Sequence, residues 1–145
     1  MIVDEKVGYV TEAEEPTILF DTNHEGLNDA GLARQMFEKY PNLKRKFPMG
    51  QEIGYGPHLV KSKGKNIIAF CCHSLTGDWD HETTAEAICR LQLFDGLGRT
   101  AIPEIGTRFL GKTLGADWSR IRRMLEKSPL EFVLYSLHPR KWHVR

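Results

Sequence analysis

The sequence predicts an α/β protein, a three-layer α/β/α arrangement around a central mixed sheet, on three observations. Short β-prone runs alternate along the chain with amphipathic segments, the order that covers a sheet on both faces with helices. Two of the amphipathic segments are preceded by glycine-containing loops, which is strand-to-helix chemistry. The chain has 145 residues, 41% of them hydrophobic and 27% charged, enough for one core, so residues 1–145 read as a single domain with a basic tail over 138–145.

The first strand is expected over Lys6 to Val10, and after the polar "TEAEEP" a second apolar run follows at Thr17 to Phe20. A loop holding Asn23, Gly26, Asn28, Asp29 and Gly31 leads into a helix whose Leu32, Met36, Phe37 and Tyr40 share one face, with Pro41 as its stop. "LKRKFPMGQEIGYGP" carries two prolines and three glycines and is expected to be irregular. A hairpin comes next, with runs at His58 to Lys61 and Asn66 to Cys72 around Ser62-Lys63-Gly64-Lys65.

A second helix is expected from Thr83 to Leu97, because Ile88, Leu91, Phe94 and Leu97 repeat every third residue before Gly98. Arg99 to Gly106 reads as a buried strand entering the loop "GTRFLGKTLGADW". Asp117 is placed to cap a third helix with Trp118, Ile121, Met124 and Leu125 on one face and Pro129 beyond its end. "LEFVLYSL" is the last strand.

Composition also excludes. The formal net charge is +1, so no overall field draws the protein to nucleic acid, and the basic runs at Lys44 to Lys46 and Arg140 to Arg145 read as solvated faces. The start of the chain is acidic, without a signal-peptide pattern, and no apolar stretch approaches bilayer length, so a cytoplasmic protein with no membrane partner is expected. Cys71, Cys72 and Cys89 form no disulfide framework and read as buried, reduced thiols.

The two glycine-bearing loops suggest a site. A helix N-terminus offers unpaired N–H groups and a partial positive charge, and a glycine loop before it lets the backbone close on an anion. Glycine also simply permits a tight turn, so one such loop says little. Two at the ends of strands in a doubly covered sheet converge on one crevice and suit the two phosphates of one ligand.

These segments resemble macro domains. "NHEGLNDAGLARQMFEKYP" is similar to the family's first ligand loop, around the distal ribose of ADP-ribose; "IPEIGTRFLGKTLGADW" is similar to its pyrophosphate loop; "FVLYSL" is similar to its final strand. The resemblance runs from Val7 to Leu137 and is greatest to the branch holding ADP-ribose-1''-phosphate phosphatases and terminal ADP-ribose glycohydrolases. It implies that Asn23 contacts the distal ribose, that Gly26, Gly31 and Leu32 present backbone N–H groups, and that Ile105, Gly106, Thr107, Arg108, Phe109, Leu110 and Gly111 cradle the diphosphate. Tyr135 would lie beside adenine. The family's adenine-binding Asp is expected near Ala13, with Glu12 or Glu14 as substitutes.

For catalysis, Asp29 reads either as a helix cap or as a carboxylate that activates water, and His73 as a general base or acid, since imidazole titrates near neutral pH. Glycohydrolases of this branch that use a covalent lysine place it where His73 and Ser74 stand, which argues against a Schiff base here. Cys72, His73, Asp78 and His81 match no zinc spacing, so neither a metal nor another cofactor is expected. The first expectation is therefore a hydrolase acting on ADP-ribose-1''-phosphate or on an ADP-ribosyl group, with ADP-ribosylated protein as a partner. The second is a non-catalytic module that binds ADP-ribose or a related nucleotide signal.

Overall fold

In the computed structural model, residues 1–23, 25, 26, 31–74, 79–106 and 115–137 are described. The strands are β1 (Ile2–Val7), β2 (Thr17–Asn23), β3 (Gly56–Ser62), β4 (Lys65–His73), β5 (Thr100–Pro103) and β6 (Phe132–Ser136). The α-helices are α1 (Gly31–Lys39), α2 (Pro41–Lys46), α3 (His81–Arg90) and α4 (Trp118–Lys127). The sheet runs β1-β6-β5-β2-β4-β3, and each neighbouring pair is parallel except the β3–β4 hairpin. The expected mixed sheet between two helical layers is the observed fold.

Period-two alternation sorts the two cores. Ile18, Phe20, Ile67, Ala69 and Val133 face Met36 and Phe37 of α1 and Leu43 of α2. Leu19, Ile68, Phe70, Phe132 and Leu134 face Ala87 and Ile88 of α3 and Ile121 and Leu125 of α4. Strands covered on both sides read as nearly unbroken apolar runs, which is why "TILF" and "IIAFCC" lack alternation in sequence. Complete burial of a side chain such as Ile18, Met36 or Leu125 is worth about 1.5–3 kcal/mol each.

Local chemistry fixes the boundaries. Lys63 and Gly64 have φ of +51° and +75°, the two left-handed residues of a type I′ hairpin turn. Asp117 caps α4 by accepting from Arg120 N–H at 3.2 Å, and Asp80 caps α3 in the same way from Thr83 N–H at 3.0 Å.

Four expectations need correction. The first strand covers Ile2–Val7, not Lys6 to Val10, because it is an edge strand whose place is set by pairing with β6. The connection expected to be irregular begins with α2, where Pro41 serves as a first-turn proline and Leu43 is wholly buried. The second helix ends at Arg90 and continues as a 3-10 turn over Leu91–Leu93; spacing by threes is the 3-10 period, and Leu97 reaches the core from outside a helix. Cys71 and Cys72 are buried, but Cys89 is exposed on α3.

Candidate functional site

Five strands run parallel, so their C-terminal ends lie along one edge of the sheet. Within that edge, β2 and β5 are neighbours whose following helices leave to opposite faces: α1 joins the core of Met36 and Phe37, α4 that of Ile121 and Leu125. Such a divergence opens a crevice at the strand ends, the usual place for a ligand in an open α/β sheet.

On the β2 side, a bulge after Thr22 sets Asn23 opposite His73 at the end of β4. Asn23 is wholly buried. Its carbonyl accepts from Gly26 N–H at 3.3 Å, and the carbonyl of Gly26 accepts from Gly50 N–H at 3.1 Å. Gly26 has φ +77°, and a Cβ there would sit 2.0 Å from the Gln51 carbonyl oxygen. Its glycine is therefore demanded by shape, and its N–H is already engaged within the turn. Gly31 and Leu32 open α1 and line a cleft described below.

On the β5 side, Ile105 is buried in the core and Gly106 turns at φ +77°. A Cβ on Gly106 would lie 2.7 Å from both the Trp79 ring and the Ala116 Cβ. Gly106 N–H donates to Asp21 Oδ2 at 3.2 Å. Burial pushes the Asp21 carboxyl above its ordinary range, against the opposing pull of Gly106 N–H and the nearby His73. The expected anion-binding amide thus faces a protein carboxyl group. Neither Asp21 nor Trp79 was singled out from sequence; a lone Asp within the apolar "TILFDTN" was the available signal.

His73 is 1% exposed, and its Nδ1 donates to the Ser74 carbonyl oxygen at 2.7 Å, which places the ring hydrogen on Nδ1. Its ring lies 5.7 Å from that of Trp79, with the planes 34° apart.

Beside the β2–β5 crevice is a cleft of about 240 Å³ whose lining includes Tyr9, Val10, Gly31, Leu32, Pro103 and Tyr135. Tyr135 donates its hydroxyl hydrogen to Glu15 Oε1 at 2.5 Å, Lys6 Nζ reaches Glu15 Oε2 at 3.0 Å, and the same ammonium stands 5.8 Å from the Tyr135 ring centre. Burial works to raise the Glu15 carboxyl, but the Tyr135 hydroxyl and the Lys6 ammonium outweigh it and hold Glu15 below its ordinary range. Burial and the facing carboxylate push the Tyr135 phenol up. Of the positions weighed for a base-reading acid, Ala13 packs into the core and Glu12 pairs with Lys39 at 3.3 Å, while Tyr9 lines the cleft.

Gly31, Leu32 and Tyr135 therefore share one cleft, Asn23 and His73 share adjoining strand ends, and Gly106 is tied to β2 through Asp21. Asp29, Thr107, Arg108, Phe109, Leu110 and Gly111 lie outside the described residues, as does the basic tail. Of the weighed metal set, burial pushes the Cys72 thiol up to about 12, His81 Nε2 accepts from Asp117 N–H at 2.9 Å, and Asp78 is outside the described residues. Among the described residues no three His, Cys, Asp or Glu side chains stand together as metal ligands, and no helix is long and apolar enough to cross a membrane.

No family model matches the sequence, and no curated protein does. Solved structures do. The macrodomain of Thermus aquaticus DarG aligns at 18% identity and a TM-score of 0.69, covering 92% of this chain and 97% of that one. A macrodomain protein from Streptomyces coelicolor aligns at 16% and 0.68, covering 94% and 99%. Thermosipho africanus DarTG in complex with ADP-ribose aligns at 18% and 0.72, covering 98% of this chain and 44% of that one. At these identities the likeness is one of fold.

Proposed function

We propose, from the premise that this chain has the macrodomain fold, that it binds ADP-ribose or a close derivative in the crevice between the ends of β2 and β5. The observation that carries this reading is the divergence of α1 and α4 from two neighbouring parallel strands, with glycine turns on both sides and an apolar cleft alongside. A cleft of about 240 Å³ fits one planar base against Tyr135, Leu32 and Pro103. The diphosphate then runs past the start of α1 toward the Gly106 turn, and the distal ribose toward Asn23. A solved relative of the same fold, the DarTG protein of Thermosipho africanus, is in complex with ADP-ribose.

A second, finer reading makes the protein a hydrolase of ADP-ribose-1''-phosphate or of an ADP-ribosyl group, including one carried by a protein. It is favoured by the pairing of Asn23 with His73 in register at adjoining strand ends. Asn23 would orient the ribose and His73 or Asp29 would take a proton from water. A cytoplasmic setting goes with both readings.

Calorimetry with ADP-ribose tests the first reading; a dissociation constant in the micromolar range, about −8 kcal/mol, is expected. Incubation with ADP-ribose-1''-phosphate and with ADP-ribosylated protein tests the second. Phosphate or ADP-ribose released by the wild type and lost in His73→Gln supports the hydrolase, whereas binding without release leaves a reader of the nucleotide.

A further inference from the structure

Beneath the second turn lies a carboxyl group that neither reading uses. Asp21 Oδ2 accepts from Gly106 N–H at 3.2 Å across 85 residues of sequence, joining β2 to the segment after β5. The turn has little room to shift, because Gly106 is packed so closely on Trp79 and Ala116 that even a Cβ would collide with both. A carboxylate here is a fixed negative charge set against the same strand-end turn that an anionic ligand approaches.

The groups around Asp21 sharpen the point. From β4, the imidazole of His73 acts on it electrostatically, and Asp21 in turn acts on the thiols of Cys71 and Cys72; from the turn after β5 comes the Gly106 amide. Burial raises both thiols, and the charge of Asp21 pushes them the same way, so they stay protonated. His73 is the basic neighbour.

We propose that Asp21 is a positioning residue for the Gly106 turn, and that binding of an anionic diphosphate at this turn is coupled to uptake of one proton from solvent by the Asp21 carboxylate. The proposal rests on the ADP-ribose reading. A protonated Asp21 still offers a lone pair to Gly106 N–H, so the turn keeps its anchor while the like charge is removed. Burial already favours the neutral form, which makes the proton inexpensive to add. A bound anion would push the Asp21 carboxyl in the same direction as burial does. Between the free and bound values, affinity falls as pH rises, and outside that window it is flat. Each pH unit separating the two values is worth about tenfold in affinity.

The experiment is titration of ADP-ribose into the wild type and Asp21→Asn from about pH 5 to about pH 8. Asparagine keeps an oxygen acceptor for Gly106 and removes the charge. Wild-type affinity is expected to fall as pH rises, by about tenfold for each unit by which the ligand raises the Asp21 carboxyl, while Asp21→Asn binds with a flat profile. Parallel profiles in the two proteins would overturn the proposal and leave nucleotide binding standing. No heat from either protein would overturn the ADP-ribose reading together with this one. The carbon-13 shift of the Asp21 carboxyl group in the wild type needs no substitution: its titration midpoint should rise when ADP-ribose is added, and an unmoved midpoint contradicts the coupling.

Discussion

The hydroxyl group of Tyr135 donates to Glu15 Oε1 at 2.5 Å, and this bond joins the wall of the apolar cleft to the segment entering β2. The ring is thereby fixed in orientation with one face available to the cleft. Tyr135→Phe keeps that face and deletes the bond, leaving part of the Glu15 carboxylate without its donor. The expected result is a stability loss of about 1–3 kcal/mol in urea unfolding with ADP-ribose affinity within about twofold. Tyr135→Ala removes the stacking face and is expected to weaken binding by about tenfold or more.

The same carboxyl group gives a pH dependence of stability. The folded protein holds Glu15 below its ordinary value, so its contribution is fully present above the unfolded carboxyl value and is lost as pH falls through the folded one. Glu15→Gln should therefore be less stable than the wild type at neutral pH, with the gap closing on acidification. Thermal unfolding of both proteins across that acid range checks this; a gap that widens toward acid contradicts it.

Two glycines near the site separate shape from strain. Gly26 and Gly31 both have positive φ, +77° and +60°, but a Cβ at Gly26 meets the Gln51 carbonyl oxygen at 2.0 Å whereas at Gly31 nothing lies within 4 Å. Gly31→Ala should cost only the left-handed penalty, about 1–2 kcal/mol. Gly26→Ala should cost more than that and shift the Pro48 to Gln51 turn with it. Equal losses in urea unfolding would mean that the contact with Gln51 yields freely.

The small helix α2 depends on one side chain. Leu43 is wholly buried against the first core while Lys44, Arg45 and Lys46 surround it on the exposed side. Leu43→Ala is expected to cost about 2–5 kcal/mol, and Lys44→Ala within about 0.5 kcal/mol of nothing, by the same unfolding measurement.

What could be read from the amino acids follows how local each cause is. β2 and β4 were legible because strands covered on both faces are apolar throughout, and Lys63-Gly64 and Asp117 carry their turn and cap in their own chemistry. β1 was misplaced because the pairing of Ile2 with Phe132 that positions it is written at the far end of the chain. α2 was missed because a proline that ends one helix also begins the next. At the site, the glycine turns were visible, but the use of their N–H groups was not: Gly106 answers to Asp21, 85 residues away, and no local pattern announces that. Trp79, whose ring lies near both His73 and the Gly106 turn, was hidden for the same reason.

The account turns on where the nucleotide sits, and amide chemical-shift mapping during titration with ADP-ribose reads that directly. The expected shifts are at Gly31, Leu32, Gly106 and Tyr135, with Ala85, Ile88 and Met124 in the groove between α3 and α4 unmoved. Shifts confined to the α3–α4 groove, or none at saturating ligand, would contradict a binding site at the ends of β2 and β5.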